Sequence, residues 1–177
     1  MPKTHLIQMA GHGGCGKSTL ARQIARRVGG VVFDLDIIKT ALLDAGLSWD
    51  DASKGSYATI YALVDDALTV PGLTVIVDTP SYWKEIHERL TTAADRHEAT
   101  YGFVECSADE VVRAQRLASR PTVRSQIRLL GENAVDAPAD LPPIHHRPIQ
   151  PPDGRKCVLI DTNLPVNADD VLRLLEG

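Results

Sequence analysis

Residues 11–18 read Gly11-His12-Gly13-Gly14-Cys15-Gly16-Lys17-Ser18, a Gly-x-x-x-x-Gly-Lys-Ser run of the Walker A type. Each fixed position has a physical task. Glycine at positions such as Gly11, Gly13, Gly14 and Gly16 lets the backbone turn tightly and aim successive N–H groups inward, which makes an anion-binding nest. Lys17 reaches the β- and γ-phosphates of a nucleotide, and the Ser18 hydroxyl can hold Mg²⁺. A helix opening here adds its positive end. Residues 11–19, Cys15 and Thr19 included, are therefore expected to hold ATP with Mg²⁺.

Carboxylates supply the other half of that chemistry. Asp78 closes the apolar run Val75-Ile76-Val77, where an acid at a strand tip holds Mg²⁺ directly or through water. Asp34-Leu35-Asp36 offers two acids one residue apart, which point the same way if the strand continues. One of them could take the proton of a hydroxyl attacking a γ-phosphate; equally, one could cap the next helix. Arg113, Arg116, Arg120, Arg124 and Arg128 are spaced for one helical face. Pro121 breaks the run and suits the first turn of a second helix. Arg116, Arg120 and Arg124 are read as a lid closing on the transferred phosphate, and Arg113 as a solvated basic residue. Tyr82 and Trp83, just after Asp78, are the favoured aromatic contacts for an acceptor. His12 is expected to face outward from its loop.

These groups need a parallel sheet to gather them. Apolar runs at His5–Ala10, Val31–Asp34, Leu73–Asp78, Ala99–Glu105 and Cys157–Asp161 read as strands. Helical patterns fall at about 18–28, 37–46, 52–69, 83–97, 108–119 and 168–176, with Gly29-Gly30 ending the first. Ser107 with Glu110 suggests a capping box; Asn167 with Asp169 and Asp170 marks the start of the last helix. Alternation of this kind predicts an α/β fold, with ligands at the carboxyl ends of the strands. Residues 134–156 carry six of the eleven prolines and are expected to be an extended surface arm. His145-His146-Arg147 within it could touch a substrate.

The 177 residues suit one domain, with a lid at about 116–133. The net charge of −4 disfavours broad nucleic-acid binding. Cys15, Cys106 and Cys157 lack metal-ligand spacing and read as reduced thiols of a cytoplasmic protein. No targeting segment or membrane span is expected, and the chain is expected to be a monomer or homodimer.

With these residues in place, the chain resembles the small-substrate P-loop kinases, the chloramphenicol phosphotransferase-like and polynucleotide-kinase-like group of AAA-type proteins. The resemblance implies a P-loop NTPase three-layer sandwich with a five-stranded parallel sheet of order 2-3-1-4-5. It implies that Asp36 is the general base. Lys39 stands where that group often has arginine, beside Asp34 on the acceptor side. Arg116 and Arg120 match the group's Arg-x-x-x-Arg lid. Ile160-Asp161-Thr162 matches its closing strand, which puts Asn163, Leu164 and Pro165 near adenine. Thr79-Pro80-Ser81-Tyr82-Trp83 replaces the Gly-Gly-Gly run of shikimate kinases, and no guanine-reading Asn-Lys-x-Asp occurs. The expected activity is transfer of the ATP γ-phosphate to a small-molecule hydroxyl. The rivals are a polynucleotide 5′-hydroxyl kinase and a nucleotide-binding regulatory protein with little turnover.

Overall fold

The computed structural model describes residues 3–141, 148–151 and 154–176. His145-His146-Arg147 and three of the arm's prolines (Pro142, Pro143 and Pro152) lie outside the described residues. The elements run β1 (His5–Ala10), α1 (Lys17–Val28), β2 (Val31–Asp34), α2 (Leu35–Asp44), α3 (Trp49–Ala67), β3 (Thr74–Asp78), α4 (Lys84–Arg96), β4 (Thr100–Ser107), α5 (Glu110–Ser119), β5 (Lys156–Asp161) and α6 (Ala168–Glu176). The five strands form one sheet of order β2-β3-β1-β4-β5. All its ladders are parallel. This is the P-loop NTPase architecture that the sequence implied.

Both faces of the sheet are covered, which explains why the inner strands are apolar throughout. On one face Leu6, Val75, Val77 and Phe103 pack against Ile60 and Val64 of α3 and Ile86 and Leu90 of α4. On the other, Ile7, Met9, Ile76 and Val104 meet Leu20 and Ile24 of α1 and Val171 of α6. The register sets Met9 and Asp34 beside Asp78, and Ala10 beside Glu105, so the acids of β2 and β3 share the carboxyl rim. That rim is where the loop after β1 begins.

Local chemistry fixes most boundaries. Gly29 at φ 69° ends α1, its N–H donating to Ala25 O. Ser48 caps α3 by accepting from Asp51 N at 3.1 Å. Asn167 accepts from Asp169 N at 2.9 Å before α6, as its sequence signature predicts. β2 ends at Asp34, as its sequence reading has it, and of the two alternatives open for the acid pair the cap is the one that forms: Asp34 turns the chain by capping α2 through the N–H groups of Asp36 and Ile37. Two expectations fail. The capping box of Ser107 with Glu110 does not form: α5 starts two residues later than that box requires, with Asp109 at the N-cap position. No second helix follows Pro121; residues 121–136 are turns, joined by one antiparallel bridge between Ile127 and Ala134.

The described part of the proline-rich arm is without helix or strand from 135 to 155, as expected. It is tied down at three points: Ile149 N donates to Ser81 O at 2.9 Å, Gln150 to Glu105, and Arg155 pairs with Asp95. Among the described residues, no helix is long and apolar enough to cross a membrane.

Candidate active site

The phosphate loop joins β1 to α1. Gly11 has φ 134° and Gly14 φ 82°. A Cβ on Gly11 would stand 2.4 Å from Cys106 O, and one on Gly14 2.8 Å from Arg113 O. Glycine is thus required both by conformation and by the backbone of β4 and α5 pressing on the loop. Thr162, just after β5, places its hydroxyl 2.7 Å from Cys15 O. Arg116 donates to Thr162 O at 2.6 Å and to the Thr162 hydroxyl at 3.1 Å, and reaches Gly14 O at 3.4 Å. Arg113 donates to Gly13 O at 3.0 Å. Two arginines of α5 therefore hold the outside of the loop. This corrects the reading of Arg113 as merely solvated and gives Arg116 a clamping task.

Lys17 lies among three carboxylates. Burial works against its charge, but Asp78 above all, with Cys15, Asp36 and Asp34, raises its pKa well above the ordinary lysine value. Asp78 is almost fully buried, and neither of its carboxylate oxygens has a hydrogen-bond partner. A buried carboxylate without partners costs several kcal/mol, on the order expected for an uncompensated charge, unless a cation or water satisfies it. Ser18 at the start of α1 supplies the hydroxyl of the motif. Among the described residues no cluster of three His, Cys, Asp or Glu could hold a metal by itself.

A cleft of about 380 Å³ opens from the loop, floored by Lys17, Ser18 and Thr19 and walled by Gln23, Arg120 and Leu164-Pro165-Val166. Arg120 lines the cleft with Arg116; its Nε is buried without a partner, and its Nη2 donates to Ile127 O at 3.4 Å. Asn163 is not one of the cleft walls; its amide oxygen accepts from Asp109 N at 2.9 Å and so holds the start of α5. Arg124 is also elsewhere. It pairs with Asp136 at 2.5 Å and with Asp44 of α2 at 2.8 Å, far along the chain from the loop. The arginine stripe is broken because the helix that would have carried its second half does not form.

The residues expected on the acceptor side fall on α2, α3 and the turn after β3. Asp34 has both oxygens engaged: Oδ1 caps α2, and Oδ2 accepts from Arg22 at 2.9 Å. Burial, then the nearby charges of Asp78 and Asp36, push its pKa up to about 6, partly offset by Lys17. Asp34 thus positions α2 rather than presenting an open face. Asp36, in the first turn of α2, projects toward residues 125–126, with Gln126 Nε2 at 3.0 Å from Oδ2. Lys39 lies 3.2 Å above the Trp49 ring, and burial lowers its pKa to about 8 against the pull of Asp36 and Asp50. Tyr82 is buried and shares a hydrogen bond of 2.8 Å with His12, so His12 turns inward and ties the phosphate loop to the loop after β3. Trp83 is half exposed and hydrogen-bonds Tyr57.

Several functional neighbours were missed from sequence. Gln8 is a buried amide in an apolar strand; it accepts from Tyr101 at 2.6 Å and donates to Ser81 Oγ at 2.8 Å. Ser81 sits at φ 58° and donates to Met9 O at 3.1 Å. This network fixes a strained turn at the rim and aims Tyr82. The polar residue in mid-strand was the available signal. Ser125 and Gln126 carried none, because their contact with Asp36 spans about ninety residues.

A parallel sheet of this order with a Walker A loop at its rim defines a P-loop nucleoside-triphosphate-binding domain. Within that class the chain belongs to the AAA_33 family, described as an AAA domain, whose profile matches residues 6–138. It is 33% identical over 129 residues to Rv2004c of Mycobacterium tuberculosis, an uncharacterized protein, covering 65% of this chain and 25% of the relative. The chain spans about a quarter of the length of the curated relatives it matches. Among solved structures, a candidate kinase from Chloroflexus aurantiacus shares the fold with a TM-score of 0.73 at 17% identity, over 99% of this chain and 96% of that one. The APS kinase CysC of Mycobacterium tuberculosis, in complex with AMPPNP and APS, shares it at 0.65 and 17% identity, over all of both chains. The recognisable group is thus that of P-loop kinase-like folds.

Proposed function

We propose that the protein is an ATP- and Mg²⁺-dependent kinase that moves the γ-phosphate to a hydroxyl of a small molecule. The observation that carries this reading is the convergence of Lys17, Asp36 and the orphaned Asp78 carboxylate at one rim of the sheet. The fold shared with the APS kinase adds support. ATP with Mg²⁺ would supply the phosphoryl group and neutralise charge on it. The chain's own residues do the rest. N–H groups of residues 11–19 and the Lys17 ammonium hold the phosphates; Ser18 and Asp78 would hold the metal. Arg120, on the wall of the cleft, would meet the charge of the transferred group. Asp36 takes the proton of the attacking hydroxyl. Leu164 and Pro165 give the base an apolar wall. Lys39, Tyr82 and Trp83 border the acceptor.

The test is ADP release across a panel of hydroxyl metabolites with Mg²⁺ and ATP. A positive acceptor should lose at least about a hundredfold in rate with Asp36→Asn, the low end for a positioned base. An undiminished rate would remove Asp36 from the role; tight ATP binding with no acceptor across the panel would favour a regulatory protein.

A further inference from the structure

The segment after α5 lies across the site rather than beside it. Ser125 Oγ is 3.1 Å from Asp36 Oδ1 and 2.9 Å from the Asp36 backbone oxygen, with Thr40 of α2 3.2 Å away. Gln126 Nε2 donates to the other carboxylate oxygen at 3.0 Å. The next residue touches the opposite wall: a Cβ on Gly13 would stand 2.8 Å from Ile127 Cδ1. Three consecutive residues therefore bridge the candidate base and the phosphate loop. The bridge is held from both sides. Val135 N donates to Gln126 O at 3.1 Å, Asp136 N to Arg124 O at 3.1 Å, and Arg124 anchors it to Asp44 of α2.

A kinase with a free carboxylate beside Lys17 faces a chemical hazard. Water is smaller than any acceptor and can use the same base. Its oxygen would bond to the γ-phosphorus, the bond to the β–γ bridging oxygen would break with its electron pair leaving on ADP, and the water proton would pass to the carboxylate and on to solvent. The Gln126 amide seated on Oδ2, and the Ser125 hydroxyl shared between Oδ1 and the Asp36 backbone oxygen, oppose this, because they occupy lone pairs and volume where the water would stand. We propose that Ser125 and Gln126 form a latch on Asp36 that suppresses ATP hydrolysis until an acceptor displaces the Gln126 amide. Gln126 acts through Asp36 and is a positioning residue. The proposal rests on Asp36 being the base of the kinase reading above. It follows that an acceptor must bring its own donors to Asp36, since an unsatisfied half-buried carboxylate would oppose the exchange.

The test needs no known acceptor. ADP release with Mg²⁺ and ATP alone is compared for the wild type, Gln126→Ala and Gln126→Ala/Asp36→Asn, with ATP affinity measured by calorimetry on each. Gln126→Ala is expected to raise acceptor-independent release on the order of tenfold, a fraction of what a positioned base supplies. Adding Asp36→Asn should return it to the wild-type rate. A second readout is independent of turnover: the Gln126 side-chain amide pair in ¹⁵N NMR, identified by its loss in Gln126→Ala, should shift in Asp36→Asn. Unchanged release in Gln126→Ala with unchanged ATP affinity overturns the latch, as does a gain that survives Asp36→Asn or an amide pair that does not move. Failure of every form to bind ATP overturns the kinase reading and the latch together, and calorimetry tells that outcome from the others. Should Gln126→Ala fold poorly, Gln126→Asn, one methylene too short for the contact, carries the same expectations.

Discussion

At the residue scale, two acids separated by one leucine do different work. Asp34 is spent on structure, capping α2 and holding Arg22, while Asp36 projects from the first turn of the helix that Asp34 starts. Their spacing alone left the roles open, because a continuing strand would have pointed both the same way. The capping geometry decides between them. It also sets a pH dependence. The folded Asp34 carboxyl binds its proton more tightly, with a pKa of about 6, than the ordinary value of 3.8 in the unfolded chain. Ionisation of Asp34 therefore works against folding: its favourable contribution is complete below about pH 4 and is lost as pH rises through about 6. Asp34→Asn keeps a capping side chain and removes that charge. Urea midpoints across pH 4–8 should show the wild type falling relative to Asp34→Asn up to about pH 6 and running parallel above it. Parallel curves throughout would mean that Arg22 fully compensates the buried charge.

At the element scale, the phosphate loop is held by pieces distant in sequence. Thr162 and the α5 arginines grip its backbone carbonyls, and β4 presses on Gly11. Thr162→Val removes the hydroxyl beside Cys15 O while keeping the shape. It should cost about 1–3 kcal/mol in urea unfolding, as expected where a buried partner is left unmatched. It should also raise the KM for ATP more than it lowers kcat; an unchanged KM would show that the loop keeps its form without the clamp. The glycines separate in the same way. Gly11→Ala meets backbone at 2.4 Å in a left-handed conformation, whereas Gly13→Ala meets the movable end of Ile127 at 2.8 Å. The first should destabilise by more than about 2 kcal/mol and the second by less than about 1. Comparable losses would mean that the Ile127 segment is as unyielding as β4. Elements of this kind were legible where periodicity was strong: all five strands and the main helices fall within a few residues of their sequence reading. The lid was not. Arginine spacing predicted a helix past Pro121, but the chain leaves helical geometry at Arg120, just before the proline, and the residues beyond it are held as turns by contacts with α2 and the phosphate loop that no local spacing reports.

At the scale of the whole molecule, the three layers leave the carboxyl rim as the place where β1, β2, β3 and the loop from β5 meet. The donor half of the site was readable because its contacts are local: residues 11–19 carry their own turn chemistry and helix start. The proposed acceptor half joins α2, the turn after β3 and the segment after α5, and no short-range pattern reports those meetings. Binding at such a junction should stabilise the fold as a unit. With free Mg²⁺ and ATP at about a hundred times Kd, linkage gives about 2.7 kcal/mol. For a domain of this size that corresponds to a rise in Tm of roughly 5–10 °C. Lys17→Ala should abolish most of the ligand-induced rise, because the ammonium lies in the field of Asp78, Asp36 and Asp34 at the rim where the phosphates would bind. Removing Mg²⁺ with a chelator should reduce the rise in the wild type, since the buried Asp78 carboxylate then faces the triphosphate without a cation between them. An equal rise in Lys17→Ala, measured by calorimetric melting, would place the nucleotide somewhere other than this rim.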